Sequence, residues 1–148
     1  MSTFRQKLTA LLRRLGVQHV LETSKDGGPE STVWAHWLFE CKGVGSIVLL
    51  RFEDGSRDAY HSHAFNSISW LLSGGLVEDR IEDDLPGGHR VTAYLPHWLP
   101  IITTRDNCHR VVSVGRSWVL SFRGPWARTW REHSAAGDVT LASGRVQQ

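Results

Sequence analysis

The chain has 148 residues, the size of one domain, with a formal net charge of +2 and charges of both signs spread along its length. Such a balance makes a mildly basic protein without the concentrated positive footprint of a nucleic-acid binder. No apolar run approaches the ~20 residues needed to span a bilayer, and the opening segment MSTFRQKLTALLRRLG lacks a signal peptide's apolar core, so a cytoplasmic protein is expected.

Phe4, Leu8, Leu11, Leu12 and Leu15 recur at helical spacing, with Ser2 or Thr3 to cap the start and Gly16 to end it. This predicts residues 1–16 as an amphipathic helix packed on the rest of the molecule, its basic side in solvent. Beyond Gly16 the texture changes to short β-type runs punctuated by turn residues. Strands are expected near Thr32–Phe39, Ser46–Phe52, Asp58–His63, Ser67–Leu72, Leu76–Ile81, His89–Leu95, Ile101–Thr103, Arg110–Val114 and Trp118–Phe122. Ser73-Gly74-Gly75 and Gly115 read as breaks between strands. One helix followed by many short strands predicts an all-β barrel or sandwich over residues 17–133. Residues 134–148 are small and polar and are expected to be loosely ordered. Cys41 and Cys108, the two cysteines, form no CxxC and indicate neither a disulfide framework nor a structural zinc site. Of the seven Trp, about two are expected to line a ligand cavity.

The densest chemistry lies in Tyr60-His61-Ser62-His63. Two His at i and i+2 on a strand share a face, so both imidazoles can reach one metal ion. The segment HSHAFNSISWLLSGGLVE, followed later by CHRV and SWVLSFRGPWARTW, resembles the cupin superfamily, in particular small stand-alone bacterial and phage cupins. The resemblance spans about residues 44–131. It implies a double-stranded β-helix, a jelly-roll barrel, and a divalent transition metal. His61 and His63 match the first cupin motif, and His109 matches the later His of the second.

Two positions depart from the superfamily pattern. Ser67 and Ile68 stand where a ligand Glu is usual, and Thr104 and Asp106 replace a Pro-x-Gly. Two ligand sets remain open: three His alone, or three His with Glu78, if Leu76, Glu78 and Arg80 face inward. Were Val77, Asp79 and Ile81 inward instead, Glu78 would be a surface charge. Ser67 and Ser69 share the face that the missing Glu would occupy and become candidates for lining a substrate cavity. His36, between Trp34 and Trp37, is a candidate at the barrel mouth, and Arg110 and Arg123 are candidates for pairing a substrate carboxylate or phosphate.

The resemblance implies a metal-dependent enzyme on a small molecule, with an Fe(II) dioxygenase-like oxidoreductase favoured. A redox-neutral Zn or Mn isomerase or hydrolase and a non-catalytic binding cupin are the alternatives. Imidazole ligands suit Fe, Zn, Mn, Ni and Cu alike. Small cupins also imply a homodimer.

Overall fold

The computed structural model describes residues 2–26, 31–56, 60–82, 88–134, 137–142 and 146–147. After helix α1 (Ser2–Arg14) come β1 (Glu22–Lys25), β2 (Val33–Cys41), β3 (Gly45–Phe52), β4 (Gly55–Ser56), β5 (Tyr60–His61), β6 (Ser67–Ile81), β7 (His89–Tyr94), β8 (Ile101–Thr103), β9 (His109–Arg123), β10 (Thr129–Ser134), β11 (Gly137–Ala142) and β12 (Val146–Gln147). The described strand pairings are antiparallel, and β9 is their hub, bonded to β3, β4, β5 and β6. The all-β jelly-roll barrel with an N-terminal helix is therefore the observed architecture. No helix among the described residues is long and apolar enough to cross a membrane.

Alternation along the strands sorts inside from outside. Ala35 and Trp37 of β2, Val48 and Leu50 of β3, Leu71 and Leu76 of β6 and Val119 of β9 form one buried cluster. Their neighbours Leu38, Ile68, Leu72 and Phe122 point outward and stay exposed. Burial of aliphatic and aromatic side chains on one face of each strand is the main force closing the barrel.

The expected breaks at Gly74 and Gly115 are not chain reversals. Four expected strands merge into two long ones, β6 and β9, which pair along their length with register shifts between Leu71 and Ser73 and between Ser73 and Gly75. Gly74 has φ 85° and Gly115 has φ 68°, a left-handed conformation that bends a strand at a bulge as readily as it turns one. At Gly74 the strands also approach closely: a Cβ there would lie 2.3 Å from Ser117 Oγ and 2.6 Å from the Arg116 carbonyl oxygen.

The helix and the tail depart from expectation in opposite ways. Leu8, Leu11 and Leu15 are 43%, 54% and 68% exposed, so the apolar stripe is not laid on the barrel. The helix is instead attached at its C-terminal end, where Gly16 turns with φ 86° and Val17 is buried. Residues 137–142, expected to be loose, form β11 against β10, with Leu141 buried. Val139 and Leu141 alternate with polar neighbours, a strand period that the small-residue composition obscures.

Candidate metal centre and its cavity

His61 ends the short strand β5, where it pairs with His109 at the start of β9. His63 lies beyond the strand end, so the HxH pair is not held by regular strand geometry. Ser62 between them supplies the hold: its backbone N–H donates to the Arg131 carbonyl at 3.0 Å, and its Oγ accepts from the Arg131 N–H at 3.0 Å. Strand β10 thus pins the segment on which both rings sit.

The three imidazoles converge. One ring nitrogen from each of His61, His63 and His109 lies within 4.8 Å of the others, and His63 Nε2 is 2.7 Å from His109 Nε2. Two such nitrogens at that separation need a proton or a cation between them. Which His109 nitrogen carries its hydrogen follows from Glu78. A carboxylate can only accept, so His109 Nδ1 donates to Glu78 Oε1 and Nε2 is left with a lone pair facing His63.

Glu78 is inward, as the Leu76–Glu78–Arg80 alternation allows, and its side chain is 3% exposed. It stands behind His109 rather than beside the other two rings, and it is not a member of the converging cluster. Its contact with the site is the His109 ring. Tyr94 donates to its Oε2 at 2.6 Å, and Arg80 Nη2 lies 3.2 Å from both carboxylate oxygens. Burial alone would raise this carboxyl, but the hydrogen bonds from His109 and Tyr94 and the charge of Arg80 outweigh it and hold the group at about 2. Burial and the bond to Glu78 push the Tyr94 hydroxyl up to about 12. A carboxylate that fixes the tautomer and tilt of a ligating His is a recurrent support of metal sites.

The cluster opens onto a cavity of about 200 Å³ inside the barrel. Leu50, Leu76, Val111 and Val119 give it an apolar wall, and Phe65, Trp126 and Trp130 give it an aromatic one, matching the two Trp expected at a cavity. Ser67, Ser69 and Arg123 line it; Ser69 Oγ donates to Ser121 Oγ at 2.9 Å.

His36 and Arg110 do not line this cavity. With Ala35 and Trp37 inward, His36 points out, 3.0 Å from Thr23 Oγ1 and stacked on Trp118. With His109 inward, Arg110 points out, over the Tyr60 ring and 3.5 Å from Asp79 Oδ2. Both follow from strand alternation once one neighbour's face is known. Tyr94 and Asp26, which sequence reasoning passed over, join the lining. Tyr94 becomes visible only through the β6–β7 register that sets it opposite Leu76. Nothing in the local sequence marks Asp26.

The donor set fits a divalent transition metal. Three neutral imidazoles with one hydrogen-bonded carboxylate behind them suit borderline ions such as Fe, Zn or Mn.

No protein-family model matches the chain and no curated protein matches its sequence. Solved structures do match its fold. An RmlC-like cupin from Shewanella frigidimarina superposes with a TM-score of 0.53 at 14% identity, over 73% of this chain and 91% of that one. A sugar phosphate isomerase of the cupin superfamily from Silicibacter pomeroyi gives a TM-score of 0.52 at 16% identity, over 83% and 88%. FeII HppE in complex with its substrate gives 0.53 at 12% identity, over 69% of this chain and 55% of that longer one. At these identities the likeness is one of fold, and the fold of this chain is that of the cupin superfamily.

Proposed function

We propose that the chain is a metal-dependent enzyme acting on a small molecule, with one divalent transition metal held by His61, His63 and His109. The observation that carries this is the convergence of three ring nitrogens within 4.8 Å at the wall of a mainly apolar cavity. Apolar cavities with a few convergent polar groups are the usual form of a small-molecule site.

An Fe(II) dioxygenase-like oxidoreductase is the favoured chemistry. Three ligands from one side of an ion leave positions open for substrate and dioxygen, and FeII HppE shares the fold. The metal would supply Lewis-acid polarisation and, as iron, one-electron chemistry. The chain's own part is to exclude water with its aromatic and aliphatic walls and to hold His109 Nε2 forward through Glu78.

The test is metal analysis of protein purified without added metal, followed by calorimetry. One iron per chain supports the oxygenase; zinc or manganese moves the assignment to a redox-neutral isomerase or hydrolase. His61→Ala, His63→Ala and His109→Ala should each abolish stoichiometric binding while leaving the far-ultraviolet dichroism intact. If all three variants bind one metal with wild-type affinity, the metal centre lies elsewhere. Sedimentation at a single species of monomer mass would exclude the homodimer implied by the sequence resemblance.

A further inference from the structure

Strand β9 carries His109 at its first residue and Arg123 at its last, and both line the same cavity. An arginine inside a barrel is costly unless something uses its charge and its five N–H groups. Arg123 is 8% exposed. Its guanidinium lies 4.7 Å from the Phe65 ring centroid and 5.4 Å from that of Trp37, so two aromatic rings hold it in place. Nη2 is 2.8 Å from Asp26 Oδ2, and the buried Nε–H has no partner. The donor fork is only partly used.

We propose that the cavity takes a small organic carboxylic acid, its carboxylate on Arg123 and its opposite end toward His61, His63 and His109. The orientation rests on the metal-site reading above; the carboxylate preference of Arg123 does not.

Charge and shape choose a carboxylate over other anions. Arg123 balances Asp26 and Arg80 balances Glu78. Glu40, whose charge also reaches Arg123, lies outside the cavity lining, and its burial disfavours the ionised form. The three His bring no negative charge. A divalent cation at the three His would add positive charge and strengthen a preference for an anionic ligand that Arg123 sets with or without it. With Asp26 beside it, Arg123 faces a phosphate dianion at a disadvantage: the second charge meets the Asp26 carboxylate. A planar monoanion can instead lie along the free edge of the guanidinium with two parallel hydrogen bonds. Ser67, Ser69, Ser121 and Thr103 line the same cavity and offer hydroxyls to polar substituents of the ligand.

The probes are the ω-hydroxy acids from glycolate to 5-hydroxyvalerate, each against its primary amide, with inorganic phosphate as competitor. Binding to zinc-loaded protein is read by calorimetry, and binding to metal-free protein by thermal shift. The best acid should bind at least ~10-fold tighter than its amide, as a charge-assisted pair requires. The same preference, weaker overall, should persist without metal. Arg123→Gln should erase it, and Arg123→Lys should reduce it by a similar factor because the fork is lost. Asp26→Asn leaves the guanidinium in place, removes its competitor and should tighten the acid; this variant also answers for any failure of the Arg123 variants to fold. Equal binding of acid and amide in both arms overturns the proposal. So does the absence of acid binding at millimolar concentration, phosphate competing as well as the best acid, or unchanged binding in Asp26→Asn with unfolded Arg123 variants. A wild-type protein that takes up no zinc would instead defeat the metal reading, and the metal-free arm would still decide the carboxylate.

Discussion

Glu78 and Asp79 are sequence neighbours on β6 that face opposite sides of the barrel wall, and each meets the same three kinds of partner. Glu78 has His109, the Tyr94 hydroxyl at 2.6 Å and Arg80 at 3.2 Å. Asp79 has His89 at 3.0 Å, the Tyr60 hydroxyl and Arg110 at 3.5 Å. The donors match, but the surroundings differ: the two side chains are 3% and 18% exposed. Water can replace a lost partner of Asp79 and cannot easily replace one of Glu78. The second nitrogen of each His separates them further, since His109 Nε2 faces His63 whereas the His89 ring lies edge-on to Tyr60. A carboxylate with His, Tyr and Arg around it is therefore no mark of a site by itself. Burial and the direction of the imidazole's free edge are what distinguish one.

The sharpest way to break this comparison is to delete both carboxylates in turn. Glu78→Ala strands the His109 Nδ1–H, the Tyr94 hydroxyl and much of the Arg80 charge, and should cost about 3 kcal/mol, the low end for removing one member of a buried ionic network. Asp79→Ala, on the wetter face, should cost about 1 kcal/mol or less. Urea unfolding of the two metal-free variants measures both. Equal losses would mean that the two faces are energetically alike and that the inner network is no more than a clasp between β6, β7 and β9.

Metal affinity gives the next contrast. Glu78→Gln preserves shape but no longer presents a charged acceptor to His109 Nδ1, and should weaken metal binding ~10-fold or more. Asp79→Asn should leave the affinity within about twofold, because Asp79 contacts His89, Tyr60 and Arg110 on the outer face. Calorimetric titration with zinc checks the pair. A larger loss from Asp79→Asn than from Glu78→Gln would reverse the assignment of inner and outer roles.

Much of this site is legible in the sequence, and the parts that are not share a common cause. His61, His63 and His109 stand out because motif spacing and strand period act on each residue directly. The inward face of Glu78 was one of two readings permitted by alternation. Whether it reaches the converging ring nitrogens or the imidazole in front of them depends on the tilt of the His109 ring, which sequence does not encode. Gly74 and Gly115 announced left-handed backbone, but turns and bulges draw on the same residue, and only the partner strand tells them apart. His36 and Arg110 lie outside the cavity for a local reason: strand alternation puts a neighbour of inward Trp37 or His109 on the outer face. The helix stripe was read from periodicity, which says which residues share a face but not that anything covers it.

The smallest expected effect is a pH dependence confined to the outer carboxylate. The hydrogen bond from Tyr60 lowers the Asp79 carboxyl, burial opposes this, and His89 and Arg110 add to the lowering. A carboxyl lowered in the folded state stabilises the protein above its unfolded value and loses that contribution as pH falls through the folded one. Wild type should therefore be more stable than Asp79→Asn at pH 7, and the gap should close as pH falls below about 4, the ordinary aspartate value. Glu78 also titrates in the acid range, but both proteins carry it. It shares no hydrogen-bond partner with Asp79, so its contribution should largely cancel in the difference. The measurement is the difference in thermal midpoint between the two metal-free proteins across pH 7 to 3, which keeps metal release by protonated His out of the comparison. A gap that widens as pH falls below about 4, the ordinary aspartate value, or one that is already absent at pH 7, would show that the Tyr60, His89 and Arg110 contacts do not favour the ionised Asp79.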